Sequence, residues 1–511
     1  MKSQKQTLTI AFGILIAIFV SFLSHPGMAQ SAGSNGDKDD GVLVVSNGDG
    51  SGTTIVNGSG NYSRTKNGRT VLKFDKGLSD FKIEYEGDIQ ISDDDRDITG
   101  ISRGGFIEIS KSAFGNNRRI QIEVNGSGQL TKTYYEGRKE VAWEPAGREW
   151  LAEILIDIVR SSKIGAESRV NRFYQQGGAS AVFDEVEKIS SDYVKTAYLD
   201  ILMDRNLSTN ELTGLLKVAG EEIGSDYYLS SLLGDHNQKF FKEDQTRTAF
   251  IEAARSIGSD YYKAGVLSNT VKNNDLSDAQ VNAVLASAGD IGSDYYLTSL
   301  LKKLIDRQRL SESSLSKLLE LSGDISSDHY KSSLLTDLLS NRSIQKFPFA
   351  QLMLAMDDIS SDHYATQILK EALNRELADE DIGHILKIVE EQVSSDHYAR
   401  SIISTVLREQ KLSTRSLTAL MRAAGNVSSD YYLKEVMSDV AKIRDLNEDQ
   451  LMVVLEACKG IGSDYYLATT LVEFAPSVNR SGSAVKSKYA EIAKGIGSET
   501  YYGRAMRELN Q

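Results

Sequence analysis

The 511-residue sequence has one cysteine, four prolines and two tryptophans. A lone cysteine excludes an intramolecular disulfide framework and any multi-cysteine metal site, so packing must supply the stability. Cys458 stands in Leu455-Glu-Ala-Cys-Lys459, where sister segments carry Ala at helical spacing; it reads as a small buried residue without a chemical role. An excess of positive charge is also missing: 58 Lys and Arg face 71 Asp and Glu, for a net charge of −13. With no long basic patch to release counterions from a phosphate backbone, nucleic acid is excluded as a partner. The pattern His-Glu-x-x-His is absent, which removes that class of zinc peptidase. What is present, 40% hydrophobic and 25% charged residues, suffices for a folded core.

Only the N-terminus carries a long apolar run. Lys2 and Lys5 precede an uncharged stretch from Leu8 to Leu23, followed by Gly27-Met28-Ala29 and Gln30. That is the layout of a secretory signal peptide over residues 1–29, which implies a periplasmic or secreted protein. The alternative is an uncleaved inner-membrane anchor over residues 7–24, the one route to a membrane association. No cysteine stands directly after the apolar run, so a lipid anchor is excluded.

Residues 30–67 are dense in Gly, Ser, Asn and Asp (Ser46-Asn-Gly-Asp-Gly-Ser-Gly52, for example), a composition expected of a tether. Over residues 68–145 the apolar residues alternate: Phe81, Ile83 and Tyr85; Ile107 and Ile109; Ile120, Ile122 and Val124. Turns at Glu86-Gly-Asp88, Arg103-Gly-Gly105, Gly115-Asn-Asn117 and Asn125-Gly-Ser-Gly128 divide them, predicting a small antiparallel β domain. The period then changes. Trp150, Leu151, Ile154, Leu155, Ile158 and Val159 make one helical stripe, predicting a connecting helix over residues 146–164.

Beyond it a hexapeptide, Ile-Gly-Ser-Asp-Tyr-Tyr or Ile-Ser-Ser-Asp-His-Tyr, recurs with its aspartate at 192, 226, 260, 294, 328, 362, 396, 430 and 464, every step being 34 residues. A tenth copy arrives one residue late with Glu499 in the Asp position. Each copy predicts the start of a first helix, with Ser as N-cap and Asp in the first turn, favoured by the helix dipole. A second helix follows, announced by the capping boxes Ser208-Thr-Asn-Glu211, Ser277-Asp-Ala-Gln280 and Asn447-Glu-Asp-Gln450. Residues 165–511 therefore read as an α-solenoid of about ten helical hairpins, with an N-terminal cap over 167–189 and a C-terminal cap where Pro476 interrupts the pattern. The fold class is α+β, mainly α.

The 34-residue length is that of tetratricopeptide repeats, but their Trp, Leu-Gly, Tyr, Ala and Pro pattern is missing. The hexapeptide and its Leu-rich continuation resemble the Ser-Asp-Tyr helical repeats of bacterial exported proteins, including extracytoplasmic parts of some peptidases similar to the BlaR/MecR β-lactam sensors. The segment 88–143 resembles regions that accompany such repeats. The resemblance implies a scaffold outside the cytoplasm; without a peptidase motif it implies no peptidase activity.

Candidate sites divide by geometry. Ser327, Asp328 and His329 contain the residue types of a hydrolase triad, but neighbours on a helix point about 100° apart, so no hydrogen-bonded chain forms. His329, His363 and His397 recur at one position of successive repeats; stacked helices about 8–10 Å apart hold such side chains too far apart to share a zinc. Asp93, Asp95 and Asp97 have calcium-loop spacing, yet Ile98 occupies the required glycine, so a solvated acidic turn is expected. The Gly-Ser steps before the helices offer N–H groups to a phosphate, but the adjacent Asp repels an anion.

One candidate survives. The residue after each aspartate is an amphipathic ring: Tyr193, Tyr227, Tyr261, Tyr295, His329, His363, His397, Tyr431 and Tyr465. A second aromatic, such as Tyr228, Tyr262 or Tyr296, follows in most repeats, and two neighbours on a helix do not face the same core. One set is expected inside and the other outside as a binding ladder, against the alternative that both pack within the array. The expected function is a non-enzymatic, cofactor-free scaffold for a protein or peptide partner. The alternatives are a regulatory ectodomain of an envelope peptidase or signalling system, and a cell-wall glycan binder.

Overall fold

The structure is a computed structural model, and residues 43–46, 52–56, 62–66, 68–75, 79–113, 116–344, 347–443 and 445–509 are described. The predicted signal segment lies outside them. Among the described residues no helix is long and apolar enough to cross a membrane. The chain forms a small antiparallel sheet region followed by a repeated helical array, and it divides into two compact units.

The first unit contains the described residues up to Glu86 with Ile107–Arg119 and Glu136–Arg138. Its strands β1 (Leu43–Ser46), β2 (Gly52–Val56), β3 (Tyr62–Lys66), β4 (Arg69–Asp75) and β5 (Ser79–Glu86) pair antiparallel in chain order, in registers such as Gly52↔Lys66 and Arg69↔Glu86. Three of these strands fall inside the segment expected to be a tether. Short β-prone runs such as Thr53-Thr-Ile-Val56 pair there although Gly and Asn dominate the segment as a whole, and ladder hydrogen bonds need only a few residues per strand. Phe81, Ile83, Ile107 and Ile109 are buried, as the alternation predicts, and Leu72 is buried with them.

The second unit takes Gly87–Phe106, Ile120–Tyr135 and everything from Lys139. It begins with a two-stranded ribbon of β6 (Ile89–Ile91) and β7 (Ile98–Ile101). All six residues of the predicted stripe are buried on the helix Arg148–Ser161. Gly165 then turns the chain into the array: its φ of +68° suits glycine, and a Cβ there would meet Ile91 Cγ1 at 2.5 Å.

In the array nine first helices begin at the hexapeptide aspartates, from Asp192–Met203 to Asp464–Asn479, and a tenth spans Glu499–Leu509. Second helices such as Thr209–Glu222, Asp278–Ala288 and Glu448–Ala457 carry all three predicted capping boxes. First helices pack on first helices and second on second, so each hairpin buries its apolar stripe against its neighbours. Pro476 does not end its helix, which runs through it to Asn479. A proline forfeits one hydrogen bond, and buried Phe474, Ala475 and Val478 on either side outweigh that loss.

Candidate functional site

The hexapeptide does more than start a helix. Its serine occupies the N-cap position in extended conformation, but in eight of the nine Asp-led helices, all except that after Ser463, the serine side chain caps nothing. The aspartate instead reaches into the next repeat. Asp226 accepts the Gly258 and Ser259 backbone N–H groups at 2.8 and 2.6 Å. Asp294 accepts those of Ser326 and Ser327 at 3.3 and 2.8 Å, and Asp464 those of Gly497 and Ser498 at 3.0 and 2.9 Å. Asp362 adds the Ser394 hydroxyl at 3.0 Å. The expected serine cap is thus corrected, while the expected place of the aspartate in the first turn holds: each carboxylate lies at its own helix N-terminus and also binds the N–H groups leading into the next. Two helix ends share one anion, where the dipoles favour it.

The clamp fixes the rings that follow it. Tyr261, Tyr295, Tyr431 and Tyr465 are 52, 56, 50 and 49% exposed, and His329, His363 and His397 are exposed as well. Tyr193, at the start of the array, is half-buried, with Lys163 Nζ 4.2 Å from its ring centroid. The second aromatics lie deeper: Tyr228 is buried, and Tyr262, Tyr296, Tyr330, Tyr364, Tyr398, Tyr432 and Tyr466 are half-buried. Each outer ring meets the inner ring of the following repeat, as in Tyr261–Tyr296 at 5.9 Å and Tyr295–Tyr330 at 6.1 Å, and all but Tyr193 also meet their own neighbour, as in Tyr295–Tyr296 at 5.1 Å. Interplanar angles of 66 to 68° in these pairs match the edge-to-face preference of aromatic quadrupoles. The result is a zigzag ribbon of rings from Tyr193 to Tyr501.

The three histidines continue the ribbon. Tyr364 Oη lies 3.4 Å from His329 Nδ1, and Tyr398 Oη 3.5 Å from His363 Nδ1. Successive imidazoles are separated by two ring steps, His329–Tyr364 at 5.9 Å and Tyr364–His363 at 5.2 Å, so a tyrosine stands between them. Among the described residues no three His, Cys, Asp or Glu side chains converge as metal ligands. Ser327, Asp328 and His329 are likewise not brought together: Asp328 accepts from Ser361 N at 2.9 Å, the Ser327 N–H goes back to Asp294, and His329 packs on Tyr364.

The acidic loop is a second correction. Asp93 is exposed, but Asp95 is buried, with φ of +56°. Arg169, itself fully buried, donates to both Asp95 oxygens at 2.9 and 2.8 Å and to Glu185 at 2.8 Å; Arg172 adds a 2.8 Å bond to Asp95 and Arg160 a bidentate pair to Glu185. Burial opposes the charge on both carboxyls, but the guanidinium hydrogen bonds outweigh it and hold them below the usual carboxylate range. Burial beside this cluster pushes the Tyr198 phenol up to about 12. Lys195, Lys263 and Lys331 are buried and recur at two-repeat spacing, a periodic signal in the sequence that the aromatic ladder overshadows. Lys195 and Lys331 donate to the carbonyls of Glu222 and Gly323, the last residues of second helices, where a cation suits the dipole.

No family model matches the sequence, and no curated protein matches it. Among solved structures, a match is a chain described under "Computational Design of Self-Assembling Cyclic Protein Homooligomers", 11% identical, covering 68% of this chain and 92% of that one. Its TM-score of 0.09 is too low to carry a structural argument.

Proposed function

We propose that the protein is a non-enzymatic interaction scaffold that captures a protein or peptide on the ladder Tyr193, Tyr227, Tyr261, Tyr295, His329, His363, His397, Tyr431 and Tyr465. The observation carrying this reading is the row of half-exposed outer rings held in register by the aspartate clamps. Tyrosine offers large contact area at low entropic cost, and a registered row has lost its freedom before any partner arrives. The N-terminal sequence, with Lys2, Lys5 and the apolar run, supports a site of action outside the cytoplasm, periplasmic or secreted, and the resemblance to exported Ser-Asp-Tyr repeats supports it too.

The test is cross-linking capture with mass spectrometry, comparing the full chain with a variant carrying Tyr261→Ser, Tyr295→Ser and Tyr431→Ser at matched thermal stability. Partners retained by the first and lost by the second support the ladder. An identical partner set for both refutes it.

A further inference from the structure

The strongest unexplained feature lies one to two turns further along the first helices. A groove of about 520 Å³ opens between Asp328–Ser340, Asp362–Ala372 and Asp396–Glu409, and every residue lining it is polar. That volume falls within the usual range of small-molecule sites, roughly 300–1,000 Å³. The groove also breaks the pattern of the array. Four residues after the hexapeptide aspartate, the six preceding repeats place Thr196, Ser230, Ala264, Thr298, Ser332 and Thr366, all small and uncharged. The seventh places Arg400.

The charge in the groove runs against that of the chain. Lys370, Arg400 and Arg408 line it with one carboxylate, Glu371, in a protein of net charge −13. Glu371 is already engaged by the Ser340 hydroxyl at 2.9 Å and the Asn374 amide at 3.0 Å. Lys370 makes no ion pair among the described residues. Arg408 pairs only with its neighbour Glu409, on an exposed side chain where such a pair contributes little. Arg400 is held from one side, its Nη2 standing 3.6 Å from both Glu435 and Asp439 of the next repeat. Its Nε is buried and has no hydrogen-bond partner. Its charge is therefore only partly answered, and a guanidinium keeps that charge at any ordinary pH.

We propose that this groove binds a small polar molecule carrying an oxyanion, a carboxylate or a phosphate. The oxyanion takes the charges of Lys370, Arg400 and Arg408, while Gln367 and Ser401 meet the hydroxyls of its body. Gln367 also touches the ladder, its Nε2 lying 3.1 Å from His363 Nε2. The site meets the ring ribbon only through Gln367 and does not depend on the ladder having a partner.

The probes are glucuronate for the carboxylate, glucose 6-phosphate for the phosphate, and glucose as the uncharged body, titrated into the full chain by calorimetry at low salt. Binding of at least one anionic sugar, with glucose bound at least about tenfold more weakly, is expected. The tighter of the two identifies the source of the anion. Arg400→Gln tests the guanidinium but also releases Glu435 and Asp439, so K370Q/R408Q, which leaves that contact alone, decides the case. About tenfold weakening in K370Q/R408Q with an unchanged melting temperature supports the site. The proposal is overturned if neither anion binds at millimolar concentration, if glucose binds equally well, or if K370Q/R408Q binds like the parent.

Discussion

Replacing Asp294 by alanine should damage the repeat that follows it more than the helix it begins. Its carboxylate accepts the Ser326 and Ser327 N–H groups at 3.3 and 2.8 Å, and only the shorter bond has near-ideal geometry. A hydrogen bond to a charged group contributes roughly 1.5–3 kcal/mol. Asp294 is half-buried and water replaces part of what is lost, so the expected cost is about 2 kcal/mol for one good bond and one weak bond. At about 1.4 kcal/mol per decade that is roughly a 30-fold loss of hydrogen-exchange protection. The reporter is the start of the helix Asp328–Ser340, including Lys331, whose N–H bonds to Ser327 O at 2.9 Å. Glu499 supplies the control: it stands in the same place in the tenth copy, is exposed, and accepts no N–H group from another repeat among the described residues. Glu499→Ala should therefore cost only the dipole contribution, about 0.3–1 kcal/mol. The inter-repeat clamp is refuted if both variants cost the same, or if Asp294→Ala loosens Asp294–Arg307 while Asp328–Ser340 keeps its protection.

Tyr296→Ala removes a half-buried ring lying between Tyr261 and Tyr295, and should cost about 2–3 kcal/mol. Tyr295→Ala, at 56% exposure, should cost about 1 kcal/mol from its ring pairs; equal losses in chemical denaturation would make the whole ladder core. Arg169→Met strips Asp95 and Glu185 of a shared buried partner and should cost about 3–5 kcal/mol, a loss below about 1 kcal/mol in the same assay counting against the network. Asp95 and Glu185 are depressed in the folded state, so the stability they contribute is complete above the unfolded carboxylate values near pH 4 and is lost as pH falls through the folded values. Melting curves from pH 7 to 3 should show that loss, and Arg169→Met should flatten it. Burial pushes the Cys458 thiol up to about 12, so iodoacetamide should label it only after unfolding; labelling of the folded chain would contradict its placement.

The helix starts were legible because the signal for them is local. The 34-residue step placed nine first helices at their aspartates, and three capping boxes placed second helices, since a cap is made within four residues of chain. What the aspartate binds was not legible for the opposite reason. Its partners lie 32 and 33 residues away, and spacing within one repeat carries no information about a contact made between two. Asp95 was misread for the same cause, its charge being answered by Arg169, 74 residues on. Helix geometry set the two rings of a repeat on different faces without saying which one faces out, and the zigzag was not legible because it needs the distance between neighbouring helices. The cations of the groove were passed over singly: a lone Arg in a helix is ordinary, and only the fold sets Arg400 beside Lys370 and Arg408.

The clamp also explains which part of the repeat holds its spacing. In eight of the nine steps the aspartate-to-acid distance is 34 residues, and in the last it is 35. Had the array required a fixed chain length, the extra residue would have displaced the final hexapeptide from its contact. Instead Asp464 still accepts two N–H groups, from Gly497 and Ser498, at 33 and 34 residues' separation. The added residue is taken up before the hexapeptide, in a repeat whose first helix, Asp464–Asn479, runs to 16 residues against 14 for Asp294–Arg307 and Asp396–Glu409. What persists is the geometry of one carboxylate across two helix ends, with the connection between helices adjusting to it. The ring that follows each aspartate inherits that geometry. The regularity of the ladder is therefore a consequence of the clamp and would exist without any partner, so the exposure of the rings, and not their spacing, is what argues for binding.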